Sequence, residues 1–69
     1  MSNIKSKVGQ KIKFFRRKIG VTQEALAEKA NISVDFLSLI ERGRNAPSLE
    51  SLEKIANALS IKVSELFAD

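Results

Sequence analysis

Val34, Asp35 and Ser38 fall together on the outward side of a short predicted helix, with Phe36 and Leu39 at its margins. Their chemistry is that of recognition. An isopropyl group makes apolar contacts, a carboxylate accepts hydrogen bonds from amino groups, and a hydroxyl donates or accepts. Reaction chemistry is missing. The 69 residues include no histidine and no cysteine, which removes the commonest general base, the usual soft metal ligands and any disulfide. The acids Glu24, Glu28, Glu50, Glu53 and Glu65 lie on polar helix faces. A catalytic carboxylate needs a desolvating pocket and a partner group, and so short a chain has little room for one. No enzymatic activity, cofactor, metal or small-molecule ligand is expected.

The elements that must hold those residues occupy the stretch from Thr22 to Arg42. Thr22 and Ser33 each place a side-chain oxygen just before a helical run, as N-caps do. Leu26, Ala27, Ala30, Ile32, Leu37 and Ile40 are spaced to bury one face of each helix against the other. Asn31 sits at the turn between them, and asparagine tolerates the left-handed backbone better than most residues. Two helices crossing through a tight turn, the second with an exposed face, form a helix-turn-helix over about residues 22–42. An ordinary helical hairpin has the same spacing.

Around this pair the pattern is helical throughout and predicts an all-α, compact five-helix domain over residues 1–69. Ile4, Val8, Ile12, Phe15 and Ile19 mark a first helix from about residue 6 to 18, ended by Gly20. Gly43 ends the third helix after Arg42, and Ser48 caps a fourth. Leu49, Leu52, Ile55, Ala56 and Leu59 form the expected buried stripe of that fourth helix. A short fifth, about Val63 to Phe67, is expected to pack Leu66 and Phe67 on the bundle.

Charge is divided unevenly along the chain. Residues 1–20 carry Lys5, Lys7, Lys11, Lys13, Arg16, Arg17 and Lys18 with no acid, whereas the remainder holds five cations and eight acids. A basic pole on a chain of pI near 9.8 suits a polyanion, and it also suits a merely solvated face. No apolar run approaches the ~18 residues of a membrane span. The N-terminus lacks a secretory apolar core, so a cytoplasmic location is expected.

From Val8 onward the chain resembles the Cro/CI-type (XRE) helix-turn-helix repressor family. The matching segments are IKFFRRKIGVTQEALAEKANIS and FLSLIERGRNAPSLESLEKIANALSIKVSELF. Within them TQEALA, the buried Leu-x-x-Ile, ERG, PS and ALS keep the family's mutual distances. The resemblance implies a lambda-repressor-like DNA-binding transcriptional regulator, usually a homodimer on double-stranded DNA. It implies that Gln23 touches the DNA backbone while bracing the recognition helix, and that Arg16 and Glu41 pair as a structural brace. It places Lys11, Lys13, Arg42, Arg44, Asn45 and Ser48, together with the margin residue Phe36, among the DNA-backbone contacts. Solvated surface lysines are the plainer account of Lys11 and Lys13.

Several positions depart from the family pattern. Asn31 stands where glycine is usual, Phe36 where tyrosine is common, and Leu39 where a polar residue is frequent. The outward face of the recognition helix has no Arg, Lys, Gln or Asn in its first two turns. Those residue types make the bidentate contacts to guanine and adenine, worth about 1–3 kcal/mol each. Base readout is therefore assigned to Val34, Asp35, Ser38 and Leu39. Val34 would meet a thymine methyl, Asp35 would accept from cytosine N4, and DNA shape would supply further specificity. Asp35 can equally serve the helix dipole alone. Val63 and Phe67 are candidate dimer contacts, or plain core packing. Two other functions fit the same residues less well: a protein-interaction module with weak DNA binding, and a first helix lying on a membrane through Phe14, Phe15 and Ile19.

Overall fold

The computed structural model describes residues 3–68. It contains helices α1 (Ile4–Lys18), α2 (Gln23–Ala30), α3 (Val34–Glu41) and α4 (Leu49–Leu59), closed by a 3-10 turn at Val63–Leu66. Among the described residues there is no strand. Among these residues no helix is long and apolar enough to cross a membrane.

Each α-helix starts on a side-chain oxygen. Asn3 accepts from the Lys5 and Ser6 amides at 3.0 and 3.4 Å, so α1 begins two residues earlier than its apolar spacing predicts. Thr22, Ser33 and Ser48 accept from the amides of Ala25, Phe36 and Ser51 at 3.0, 3.0 and 3.1 Å. These bonds satisfy donors that the first helical turn leaves unpaired.

Each α-helix also ends the same way. The residue after the last turn takes positive φ at Gly20, Asn31, Gly43 and Ser60. Paired amides then return to the last turn's carbonyls, as in Asn31 to Glu28 at 3.1 Å and Ile32 to Ala27 at 3.0 Å. This is the Schellman arrangement. It makes the turn between α2 and α3 tight enough for the two helices to cross.

The core draws on all five elements: Ile12, Leu26, Leu37, Ile40, Ile55 and Leu66 are fully buried. α1 packs along α3, α2 lies against both α3 and α4, and the 3-10 turn touches α1 and α4. Four apolar residues of the helical stripes and the chain's closing turn stand outside the core. Leu49 is 76% exposed, because it is the first residue of α4 and precedes the turn where that helix meets the core. Ile4 and Ile19 are exposed at the two ends of the α1 stripe. The expected fifth helix is a four-residue 3-10 turn, held by the Lys62 amide donating to Glu65 Oε2 at 3.0 Å. It buries Leu66 and leaves Phe67 exposed.

Candidate nucleic-acid interface

The geometry of α3 is set from behind. Leu37 and Ile40 are completely buried, and Glu41 ends the helix as one of two buried charged residues among those described. Arg16 of α1 meets Glu41 with both arms of its guanidinium: Nε donates to Oε2 at 2.7 Å and Nη2 to Oε1 at 3.1 Å. A third donor, Nη1, reaches the Val21 carbonyl at 3.0 Å. Gln23 completes the group, its Nε2 donating to Glu41 Oε1 at 3.0 Å. A planar fork on a carboxylate fixes orientation as well as distance. One buried carboxylate thus ties α1, the start of α2 and the end of α3 together.

Close backbone contact reinforces this tie. A Cβ at Gly9 would overlap the Ile40 carbonyl oxygen and lie 3.0 Å from that of Glu41. Only a residue without a side chain lets α1 approach the end of α3 so closely. Gly43 faces Ser6 in the same way, with a Cβ there falling 2.6 Å from Ser6 Oγ. Apolar spacing alone gives no hint of Gly9, which lies mid-helix among larger residues.

The opposite side of α3 is open. Val34 is 37% exposed, Asp35 is exposed, and Ser38 and Leu39 are half-buried. Phe36 is drawn aside and packs against the core. Asp35, Ser38, Leu39 and Arg42 recur at three- and four-residue spacing and so form one stripe. Arg42 lies back along it, with Nε donating to the Ser38 carbonyl at 3.4 Å. The open face of α3 therefore acquires one guanidinium, supplied by the residue just after the helix.

The remaining expected backbone contacts are not all on one surface. Gln23, as the first residue of α2, has a second amide N–H beyond the one given to Glu41, beside the free amides of its helix start. Arg44 is exposed and Asn45 half-buried in the loop after α3. Ser48 spends its hydroxyl on α4, accepting from the Ser51 amide and donating to Ser51 Oγ at 3.2 Å. Lys13 stands on the outward side of α1 with Gln10, Phe14, Arg17 and Lys18. Lys11 borders a neighbouring depression with Lys7, Gln10, Phe14 and Ala68, which shares Gln10 and Phe14 with that of Lys13. No cluster of metal-binding side chains occurs among the described residues.

A helix pinned at its back and open in front, following a short capped helix across a tight turn, defines a duplex-reading module. Comparisons with known proteins agree. The model of the helix-turn-helix family matches residues 12–66. The chain is 50% identical over 62 residues to the immunity repressor protein of Bacillus phage phi105, covering 90% of this chain and 43% of that protein. It is 40% identical over 70 residues to the control protein C.MunI of a Mycoplasma species, covering 100% of this chain and 95% of the relative. Among solved structures, the restriction-modification controller protein C.AhdI from Aeromonas hydrophila superposes with a TM-score of 0.89 at 35% identity, covering 91% of this chain and 96% of that one. The chain belongs to the XRE-type helix-turn-helix family of DNA-binding transcriptional regulators. It spans less than half the length of the phage repressor.

Proposed function

We propose that this protein represses transcription, its own included, by binding a pseudo-palindromic operator as a homodimer in the cytoplasm. One observation carries the reading: the buried Arg16–Glu41 pair, joined by the half-buried Gln23, holds α3 by the side facing away from Val34, Asp35 and Ser38. Those residues, with Leu39, face base edges in the major groove. Val34 meets a thymine methyl and Asp35 accepts from cytosine N4. Gln23, Arg42, Arg44, Asn45 and the start of α4 at Ser48 grip phosphates, with Lys13 adding charge at the periphery and Phe36 backing the reading helix. The domain measures 32 × 21 × 21 Å, so two copies in contact can serve half-sites about 34 Å apart.

Selection of bound duplexes from a random pool tests this directly. The expected motif is an inverted repeat with conserved T and C positions and no dominant guanine contact under the first two turns of α3. Affinity for the selected duplex should fall linearly in log–log form with salt. A chain retained on no duplex, or retained without salt dependence, would rule out the DNA-reading function and favour a protein-interaction role for the same fold.

A further inference from the structure

The side of α1 turned away from α3 carries a cluster centred on Phe14 that duplex reading does not use. Gly9, Ile12 and Arg16 face α3 and the core. At about 100° per residue, Phe14 lies about 140–160° around the helix from each of them, so it points outward. It is 56% exposed. Its ring is nevertheless held in place, because it meets Phe15 at near right angles with centroids 5.2 Å apart, and Phe15 packs against the core.

Cations surround this ring. Lys13, Arg17 and Lys18 line a depression on one side of Phe14, and Lys7 and Lys11 line another, with Gln10 and Phe14 bordering both. The Lys18 ammonium stands over the ring, 5.9 Å from its centroid. The sequence of α1 contains no acid. Among the described residues, Lys11, Lys13, Arg17 and Lys18 pair with no carboxylate. The face is thus an apolar ridge between two cationic flanks.

That pattern selects among anionic partners. A bilayer surface needs a broad apolar helix face, whereas Phe15 is turned inward and Ile19 lies about 140° around α1 from Phe14. A duplex backbone needs the cations alone, and the Phe14 ridge would hold its phosphates off. A single strand stacks its bases on open ring faces, but Lys18 stands over this one. A second helix uses every group present. Its aliphatic side chains, one turn apart, straddle Phe14, and carboxylates beside that seam meet the cations on either flank.

We propose that the outward face of α1 docks an acidic amphipathic helix of a partner protein, with Phe14 as the apolar anchor and Arg17 and Lys18 among the charges that orient it. A ring already fixed by Phe15 loses little freedom on binding. The docked helix lies across α1 from α3, so a regulator bound to its operator can hold the partner at the same time. Only this simultaneous binding rests on the DNA-reading function; the docking site does not.

Fluorescence anisotropy of a labelled synthetic peptide tests this on the full chain. The peptide matches α1 in length and carries leucines on one helical seam flanked by glutamates. Comparison probes are a peptide of the same composition with its leucines scattered, phosphatidylglycerol vesicles, a random-sequence duplex and a thymine single strand. The seam peptide should bind at least about tenfold more tightly than the scattered one, and Phe14→Ala should remove that advantage. Circular dichroism and affinity for the selected duplex should be unchanged in Phe14→Ala. Arg17→Glu with Lys18→Glu should lose the glutamate peptide and gain its lysine counterpart, an exchange that a folding defect cannot produce. The chain on its selected duplex should bind the seam peptide as the free chain does. Equal binding of the two peptides, or of the seam peptide by wild type and Phe14→Ala, would overturn the proposal. So would vesicles, duplex or single strand bound in a way that Phe14→Ala abolishes, or displacement of the peptide by the selected duplex. A chain that binds the seam peptide and no duplex would overturn the DNA-reading function and uphold the docking site.

Discussion

On its inner side, α3 meets α1 through an ion pair whose side chains are only 11% and 2% exposed, and through a backbone contact that excludes any side chain at Gly9. On its outer side, Val34, Asp35, Ser38 and Leu39 have one fixed polar neighbour, the Arg42 guanidinium resting on the Ser38 carbonyl. The inner residues can change little without moving the helix. The outer ones are more exposed, so changes there disturb the fold less. On the proposed reading the two duties are separate: the back sets where the helix stands, and the front sets what it reads.

The comparison breaks most visibly at the back. Glu41→Ala strands the Arg16 guanidinium in a nearly closed site, and it should cost about 3 kcal/mol, the lower end of the range for broken buried pairs. Urea denaturation measures this. Replacing both partners with apolar residues, Arg16→Met with Glu41→Leu, should be much milder because no charge is left unpaired. If Glu41→Ala costs less than about 1 kcal/mol, comparable to an exposed pair, the brace does not hold α3. Gly9→Ala should follow at about 1–3 kcal/mol, the usual penalty of overpacking. Since α3 must shift to admit the methyl group, affinity for the selected duplex should fall further than the folded fraction explains. Unchanged affinity per folded molecule would show that the approach of α1 does not set the attitude of the reading helix.

At the front, effects should appear in specificity and hardly at all in stability. Asp35→Ala should relax preference at one operator position by about 1–3 kcal/mol of discrimination. Val34→Ala should do the same at a thymine. The competing account of Asp35, as a charge serving the start of α3, predicts a stability loss of about 0.3–1 kcal/mol with base preference unaltered. Repeating the duplex selection with the variant separates the two.

The inner side was largely legible in the sequence. Caps at Thr22, Ser33 and Ser48, the turn at Asn31 and the buried Leu37 and Ile40 all follow from residue type and spacing. What escaped were features that periodicity does not encode. Leu49 occupies a core-like register, yet it lies one turn too early to meet the core. Gly9 has no periodic signature, because its role is the absence of a side chain against a helix distant in sequence. Lys11 and Lys13 are two residues apart and border neighbouring depressions of α1 on either side of Gln10 and Phe14, a division that a list of cations does not convey. The brace followed from family resemblance, and the coordinates add Val21 as its third acceptor.

The smallest effect concerns the helix ends, where the sequence was silent about Ser60. Its φ of 59° places a side chain where glycine is favoured, as does the same φ at Asn31. The left-handed conformation costs an L-residue about 1–2 kcal/mol, and asparagine less than serine because its side chain bonds locally. Glycine removes that strain while adding freedom to the unfolded chain, which returns about 0.4–1 kcal/mol. Ser60→Gly should therefore stabilise by up to about 1 kcal/mol, a rise of up to about 4–8 °C in melting temperature for a domain this small. Asn31→Gly should gain less. Ser60 lies at the end of α4, away from the reading helix, so DNA affinity should be unchanged in the first variant. In the second, the turn itself joins α2 to α3. Any altered affinity there, at equal stability, would show that the turn contributes to the attitude of α3 in addition to the brace behind it.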